Sequence, residues 1–217
     1  MSESLVYLND RTVPASEAHL NIYDLGVVMG ATVTEMLRTF GRQLYRLEAH
    51  LDRLSRSLRY VRFDIGMSMQ QLALAARELV EHNIQLGDPE DELGLVIFVT
   101  AGENPVYAGS AGGAARLTPT VCIHTFPLAF ELWADKIGRG AHLVTPSIRH
   151  IPPQCYDSNM KCRSRMQYYL ADEEAHLVDP DASALLLDLD GNATETSGAN
   201  FLIVQDGTII SPPLRNI

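Results

Sequence analysis

A chain of 217 residues, 46% hydrophobic and 20% charged, is long enough for one large or two small globular domains with a proper core. Its net charge of −10, from 17 basic against 27 acidic side chains, argues against a nucleic-acid binder that relies on a broad basic surface. Cys122, Cys155 and Cys162 make neither a disulfide framework nor a zinc-ligand spacing, the N-terminus lacks the features of a secretion signal, and the apolar runs are strand-sized. A cytoplasmic protein with no membrane partner is the expectation.

In chain order, Leu5–Leu8 and Arg11–Val13 read as a hairpin about Asn9-Asp10, and Thr32–Phe40 suits a strand that turns at Gly41-Arg42 into Gln43–Arg46. Leu47, Leu51, Leu54, Leu58 and Val61 form one apolar stripe at helical spacing, with His50 and Arg53 along its shoulder. Met67–Asn83 is a second amphipathic helix, closed by Gly87-Asp88-Pro89. Leu93–Thr100 is a buried strand, Ala101–Pro119 a mobile Gly/Ala/Pro-rich loop, and Thr120–Phe126 another strand. Pro127–Ala134 is the candidate boundary between a smaller domain, 1–127, and the start of a larger one, 128–217.

The second part opens on a strand at His142–Pro146, and Pro152-Pro153 forces extended chain ahead of Lys161. Ser164-Arg-Met-Gln167 has the capping-box pattern, which starts a helix there that runs to about His176. Strands follow at Ser183–Asp188, Asn200–Val204 and Thr208–Ser211, with turns at Asp190-Gly191 and Asp206-Gly207. The class is mixed α/β (α+β), with helices packed on largely antiparallel sheets.

Three side chains have chemistry that suits a cofactor. Lys161 precedes a helix start and neighbours Arg163 and Arg165, surroundings that favour a lysine's free amine and hence Schiff-base chemistry; most lysines, however, are solvated surface charges. Glu195 lies in the connection Gly191–Asn200, where a carboxylate is usually just solvated but could face a pyridine nitrogen and keep it protonated. Arg53 could be a solvated shoulder residue or a phosphate ligand, because its planar fork donates two hydrogen bonds to two oxygens. The seven histidines include no pair at i, i+4 with a nearby third ligand, so no metal site is expected, and neither a phosphate-binding glycine loop nor a G-x-S-x-G elbow is present.

Four stretches in order carry a family resemblance. LYRLEAHLDRL (44–54), TPSIRHIPPQCYDSNMK (145–161), LLLDLDGNATETSGANFLIVQDGTIISPP (185–213), and Glu35 and Arg38 in TEMLRTF together resemble the class IV pyridoxal-phosphate-dependent aminotransferases. The resemblance implies a two-domain fold-type IV architecture with the cofactor between the domains, and a homodimer that completes each active site. It gives Lys161 the covalent link to pyridoxal 5′-phosphate, Glu195 the pyridine nitrogen and Arg53 the phosphate, with Ser197 and Gly198 as further cofactor contacts. It implies an amino donor and a 2-keto acid as substrates, in a transamination of the branched-chain type. A lyase resembling aminodeoxychorismate lyase is the alternative enzyme, and a binding protein without turnover the non-enzyme alternative.

The sequence departs from the family pattern in four places. Thr34 stands where an aromatic residue usually lines the substrate pocket, and Ala101-Gly102 stands where the D-amino-acid enzymes carry a carboxylate-gripping arginine. Arg163 and Arg165 follow the lysine where small or aliphatic residues are usual, and either grip that carboxylate or face solvent. Thr34, Arg38 and Arg163 are therefore the candidate substrate residues. The chain also stops at Pro212-Pro213-Leu-Arg-Asn-Ile217, before the helix N-terminus with which the family binds phosphate, and a further C-terminal segment is expected.

Overall fold

The computed structural model describes residues 3–107, 109 and 117–213. By its contacts the chain divides into two units: Met1–Leu128 with Lys161–Ser164, and Ala129–Met160 with Arg165–Ile217.

The first unit begins with β1 (Leu5–Leu8) and β2 (Arg11–Pro14), joined through Asn9 at φ 50°, a conformation that asparagine tolerates in hairpin turns. A short helix α1 (Leu25–Met29) is capped by Asp24, whose side chain accepts from the Gly26 N–H. The same buried carboxylate accepts from the hydroxyls of Thr100 at 2.9 Å and Thr120 at 2.8 Å. Next come β3 (Thr32–Phe40), β4 (Gln43–Leu44), α2 (Leu47–Val61), α3 (Met69–Asn83), β5 (Leu93–Thr100) and β6 (Val121–Pro127). The six strands form one antiparallel sheet in the order β2-β1-β6-β5-β3-β4.

All eight residues of β5 are buried, as an unbroken apolar run at the centre of a sheet requires. The expected α2 stripe is present: Leu47, Leu51, Leu54 and Leu58 are buried, each stabilising the fold by roughly 1.5–3 kcal/mol. Helix α3 starts at Met69, two residues later than expected. Ser68 and Gln71 form a reciprocal capping box that fixes its first turn. Of the expected loop 101–119, residues 108 and 110–116 lie outside the described residues, as do 214–217 at the chain's end.

The second unit opens with a helix that the sequence reading missed, α4 (Glu131–Arg139). Then follow β7 (Leu143–Val144), shorter than the expected His142–Pro146, α5 (Met166–His176), β8 (Ser183–Leu187), β9 (Ala193–Thr196), β10 (Ile203–Gln205) and β11 (Thr208–Ile210). Strands β7 and β8 are parallel, β8 and β9 antiparallel, and β10 and β11 form a separate hairpin. The core of this unit is small-residue packing: Tyr168, Ala171 and Ala175 of α5 lie against Ala182, Ala184 and Leu186.

Two expectations are corrected here. Ser164 does not cap α5: Arg165 occupies the cap position with no side-chain cap bond, and the Ser164 hydroxyl donates to the Gly30 carbonyl at 2.5 Å. Glu195 is not in a loop but on β9, which pairs Leu185 with Thr196 and Leu187 with Ala193. Three steps on β9 oppose two on β8, a bulge of one extra residue of the kind that re-aims a side chain.

Candidate active site

In the first unit the charged centre is Glu35 on β3, fully buried yet paired. Arg53 donates from Nε to Oε1 and from Nη2 to Oε2, both at 2.6 Å, and His50 Nδ1 lies 2.8 Å from Oε2. His50 and Arg53 reach the same carboxylate because residues three apart on α2 share a helix face. Burial alone would push the Glu35 carboxyl up, but the bonds from Arg53 and His50 bring it below its ordinary value. Two of the guanidinium's five N–H donors are used in this pair, leaving three, and the arginine side chain is 41% exposed. Glu35 thus fixes the orientation of Arg53 while leaving donors for a second anion.

A carboxyl depressed in the folded state contributes stability above its unfolded pKa and loses it as the pH falls through the folded value. Glu35→Gln is therefore expected to cost about 2–3 kcal/mol at neutral pH, discounted for the water that reaches Arg53. The difference from wild type should shrink as the pH falls through the lowered pKa of the native carboxyl, where wild type also protonates. Chemical denaturation of both proteins from pH 7 to the acid limit measures it, and a pH-independent difference would contradict the pairing.

Lys161 is held by its backbone. The Thr34 N–H donates to the Lys161 carbonyl at 2.9 Å and the Arg163 N–H to the Thr32 carbonyl at 3.2 Å, so this segment covers the outer edge of β3. Thr34 is buried and its hydroxyl donates to the Ile97 carbonyl at 2.9 Å. Thr34, Phe98 and Cys122 are register partners across β3, β5 and β6, and therefore share one sheet face. The Arg163 guanidinium lies over the Phe98 ring, 5.2 Å from its centroid. Burial, and then the charge of Arg163, lowers the His124 pKa; burial pushes the Cys122 thiol up to about 12 against the opposing pull of Arg163. Arg38 is engaged further along β3, where its guanidinium stacks 3.8 Å from the Phe40 centroid and its Nε donates to the Thr39 carbonyl.

Gly102 has φ +86°, and a Cβ there would sit 1.9 Å from the Thr118 carbonyl oxygen. No side chain fits at that point, and Ala101 beside it is buried. The departure from the arginine-bearing pattern is thus built into the backbone.

In the second unit Glu195 accepts from the Tyr168 hydroxyl at 2.5 Å, and His150 Nε2 lies 3.6 Å from the same oxygen. Burial would raise this carboxyl, but the bonds from His150 and Tyr168 and the charges of His150 and Arg165 bring it below its ordinary value. Arg165 stacks 4.2 Å from the Tyr168 centroid and donates to the Ser197 carbonyl, so it braces the turn that follows Glu195. That turn, Ser197–Ala199, is closed by Thr196, which pairs with Ala199 through backbone and hydroxyl, and an added Cβ on Gly198 would meet nothing within 4 Å. The sequence reading missed His150 and Tyr168, which are 45 and 27 residues from Glu195 in a count no local motif could link.

The family pattern of the class IV aminotransferases matches residues 32–217, and the chain belongs to that family. It is 28% identical to branched-chain-amino-acid aminotransferase-like protein 1 of Arabidopsis thaliana over 96% of this chain and 36% of the relative. It is 26% identical to a D-alanine aminotransferase of Staphylococcus aureus over 97% of this chain and 70% of the relative. Its fold is that of a branched-chain aminotransferase from Thermoproteus uzoniensis solved with norvaline, with a TM-score of 0.83 and 24% identity over 99% of this chain and 70% of that one.

Proposed function

We propose that this aminotransferase uses pyridoxal phosphate to move an amino group between a branched-chain-type L-amino acid and a 2-keto acid, as a cytoplasmic homodimer. The observation that carries the reading is the Glu195 carboxylate on β9, held by the Tyr168 hydroxyl at 2.5 Å and of the kind that a protonated pyridine nitrogen requires as its acceptor. The donor set fits the remaining parts of the cofactor: three guanidinium N–H groups of Arg53 suit a phosphate, and the Lys161 amine suits a covalent link to an aldehyde. The cofactor when bound supplies an electron sink for the carbanion at the substrate Cα.

This chain's own residues do the rest. Lys161 would hold the cofactor through a covalent link, and its amine is the base that would take the proton from the substrate Cα. Glu195 holds the ring nitrogen protonated, Arg53 anchors the phosphate in an orientation set by Glu35, and the turn with Ser197 and Gly198 offers further contacts. Arg163 is assigned to the substrate carboxylate, since Gly102 and Ala101 leave no place for an arginine after β5. Thr34 occupies less space there than an aromatic side chain would.

The test is a half-reaction. Given an amino donor alone, the enzyme is expected to release one equivalent of 2-keto acid and leave pyridoxamine phosphate behind. Catalytic elimination with the cofactor returned to its aldehyde form would make the protein a lyase instead.

A further inference from the structure

The group behind Glu195 has a hydrogen-bond arithmetic that allows few solutions. His150 Nδ1 lies 3.0 Å from the Ile151 carbonyl oxygen, which can only accept, so Nδ1 carries a proton. The backbone holds the ring in place, because the His150 N–H donates to the Leu187 carbonyl at the end of β8. His150 Nε2 lies 3.1 Å from the Tyr168 oxygen, and that oxygen lies 2.5 Å from Glu195 Oε1. Tyr168 has a single hydroxyl proton, which can go to one neighbour only. The shorter contact has the length of a charge-assisted O–H···O⁻ bond, while the contact to His150 has that of an ordinary one. If Tyr168 gave its proton to His150 instead, phenolic lone pairs would face a carboxylate oxygen at that short distance. The proton therefore goes to Glu195, and Nε2 must donate to the phenolic oxygen.

We propose that His150 and Tyr168 are positioning residues that hold the Glu195 carboxylate in place as an anion, with both His150 ring nitrogens protonated and Tyr168 relaying between them. The inference rests on the reading of Glu195 as the partner of the cofactor's ring nitrogen. In that role the network has a clear use. A cation 3.6 Å from Oε1 favours the ionised carboxylate, which would then be the acceptor for a protonated pyridine nitrogen. Arg165, over the face of Tyr168, also favours the Glu195 anion by its charge, and Tyr156 opposes ionisation of Tyr168.

Nitrogen-15 NMR of the purified chain with labelled histidine, with no cofactor added, tests the proton arrangement directly. Both His150 nitrogens are expected to carry protons in the wild-type chain, and Glu195→Gln should release one of those protons. Carboxyl carbon-13 shifts should show Glu195 protonating at a pH higher by at least about one unit in His150→Gln and in Tyr168→Phe. His150→Arg, which keeps a positive charge, should leave that titration close to wild type, whereas a side chain needed only for packing would give no such rescue. An unprotonated Nε2 in the wild-type chain, or a Glu195 titration indifferent to these substitutions, would overturn the proposal. A chain that shows the network but takes up no pyridoxal phosphate would support the network and refute the reading of the site.

Discussion

Lys161→Ala is expected to leave a folded protein whose amino-transfer rate has fallen by roughly 10⁴-fold or more, the scale of a lost proton-transfer group compounded by a lost covalent anchor. Loss of fold is not the cause, because what ties this segment to β3 is the Lys161 carbonyl and the Arg163 N–H, and both survive truncation of the side chain. The chain has two lysines, and the other, Lys136, sits in the last turn of α4. A variant that retained the bound cofactor's visible absorbance and its turnover would move the carrier role to Lys136. An unchanged thermal midpoint accompanied by inactivity is the predicted pair of results.

Glu195→Gln is the second large effect. A neutral amide cannot stabilise a protonated pyridine, so Cα proton transfer in a single turnover should slow by roughly 10²–10⁴-fold. Cofactor affinity should change much less, because Arg53 and Lys161 remain. Stopped-flow mixing with an amino donor reads the two separately. Unchanged single-turnover rates would remove Glu195 from this role, whatever the state of His150 and Tyr168.

Periodic apolar patterns carried most of the architecture. The stripe Leu47-Leu51-Leu54-Leu58 and the run Leu93–Thr100 gave α2 and β5 with their observed ends, because long apolar repeats have one way to be buried. Short polar patterns did not behave so well. Ser68-x-x-Gln71 and Ser164-x-x-Gln167 have the same capping pattern, yet only the first is a capping box. Ser164 loses its cap because its hydroxyl reaches the Gly30 carbonyl, 134 residues earlier in the chain, a competitor no local reading contains. Strand β9 escaped notice for a related reason: Ala193-Thr-Glu-Thr196 has no apolar alternation, and the buried hydroxyls of Thr194 and Thr196 are satisfied by backbone carbonyls instead.

The candidate site divides along the same line. Lys161, Arg53 and Glu195 stand out in the sequence only through the family resemblance. Their supporting partners are not, since Glu35 meets Arg53 across β3 and α2, and His150 meets Glu195 by way of α5. Such pairs exist only once the elements have packed. Helix α4 is a different failure: Leu132, Trp133 and Ile137 do recur at helical spacing, but the segment overlaps Pro127–Ala134, which reads as the domain boundary.

The most direct measurement of the central claim is to load the purified chain with pyridoxal phosphate, reduce it with borohydride, digest it, and map the modified peptide by mass spectrometry. The account predicts a single phosphopyridoxyl modification, located on Lys161. Modification of Lys136 or of the N-terminal amine, or none at all on a chain that still transfers amino groups, would contradict it.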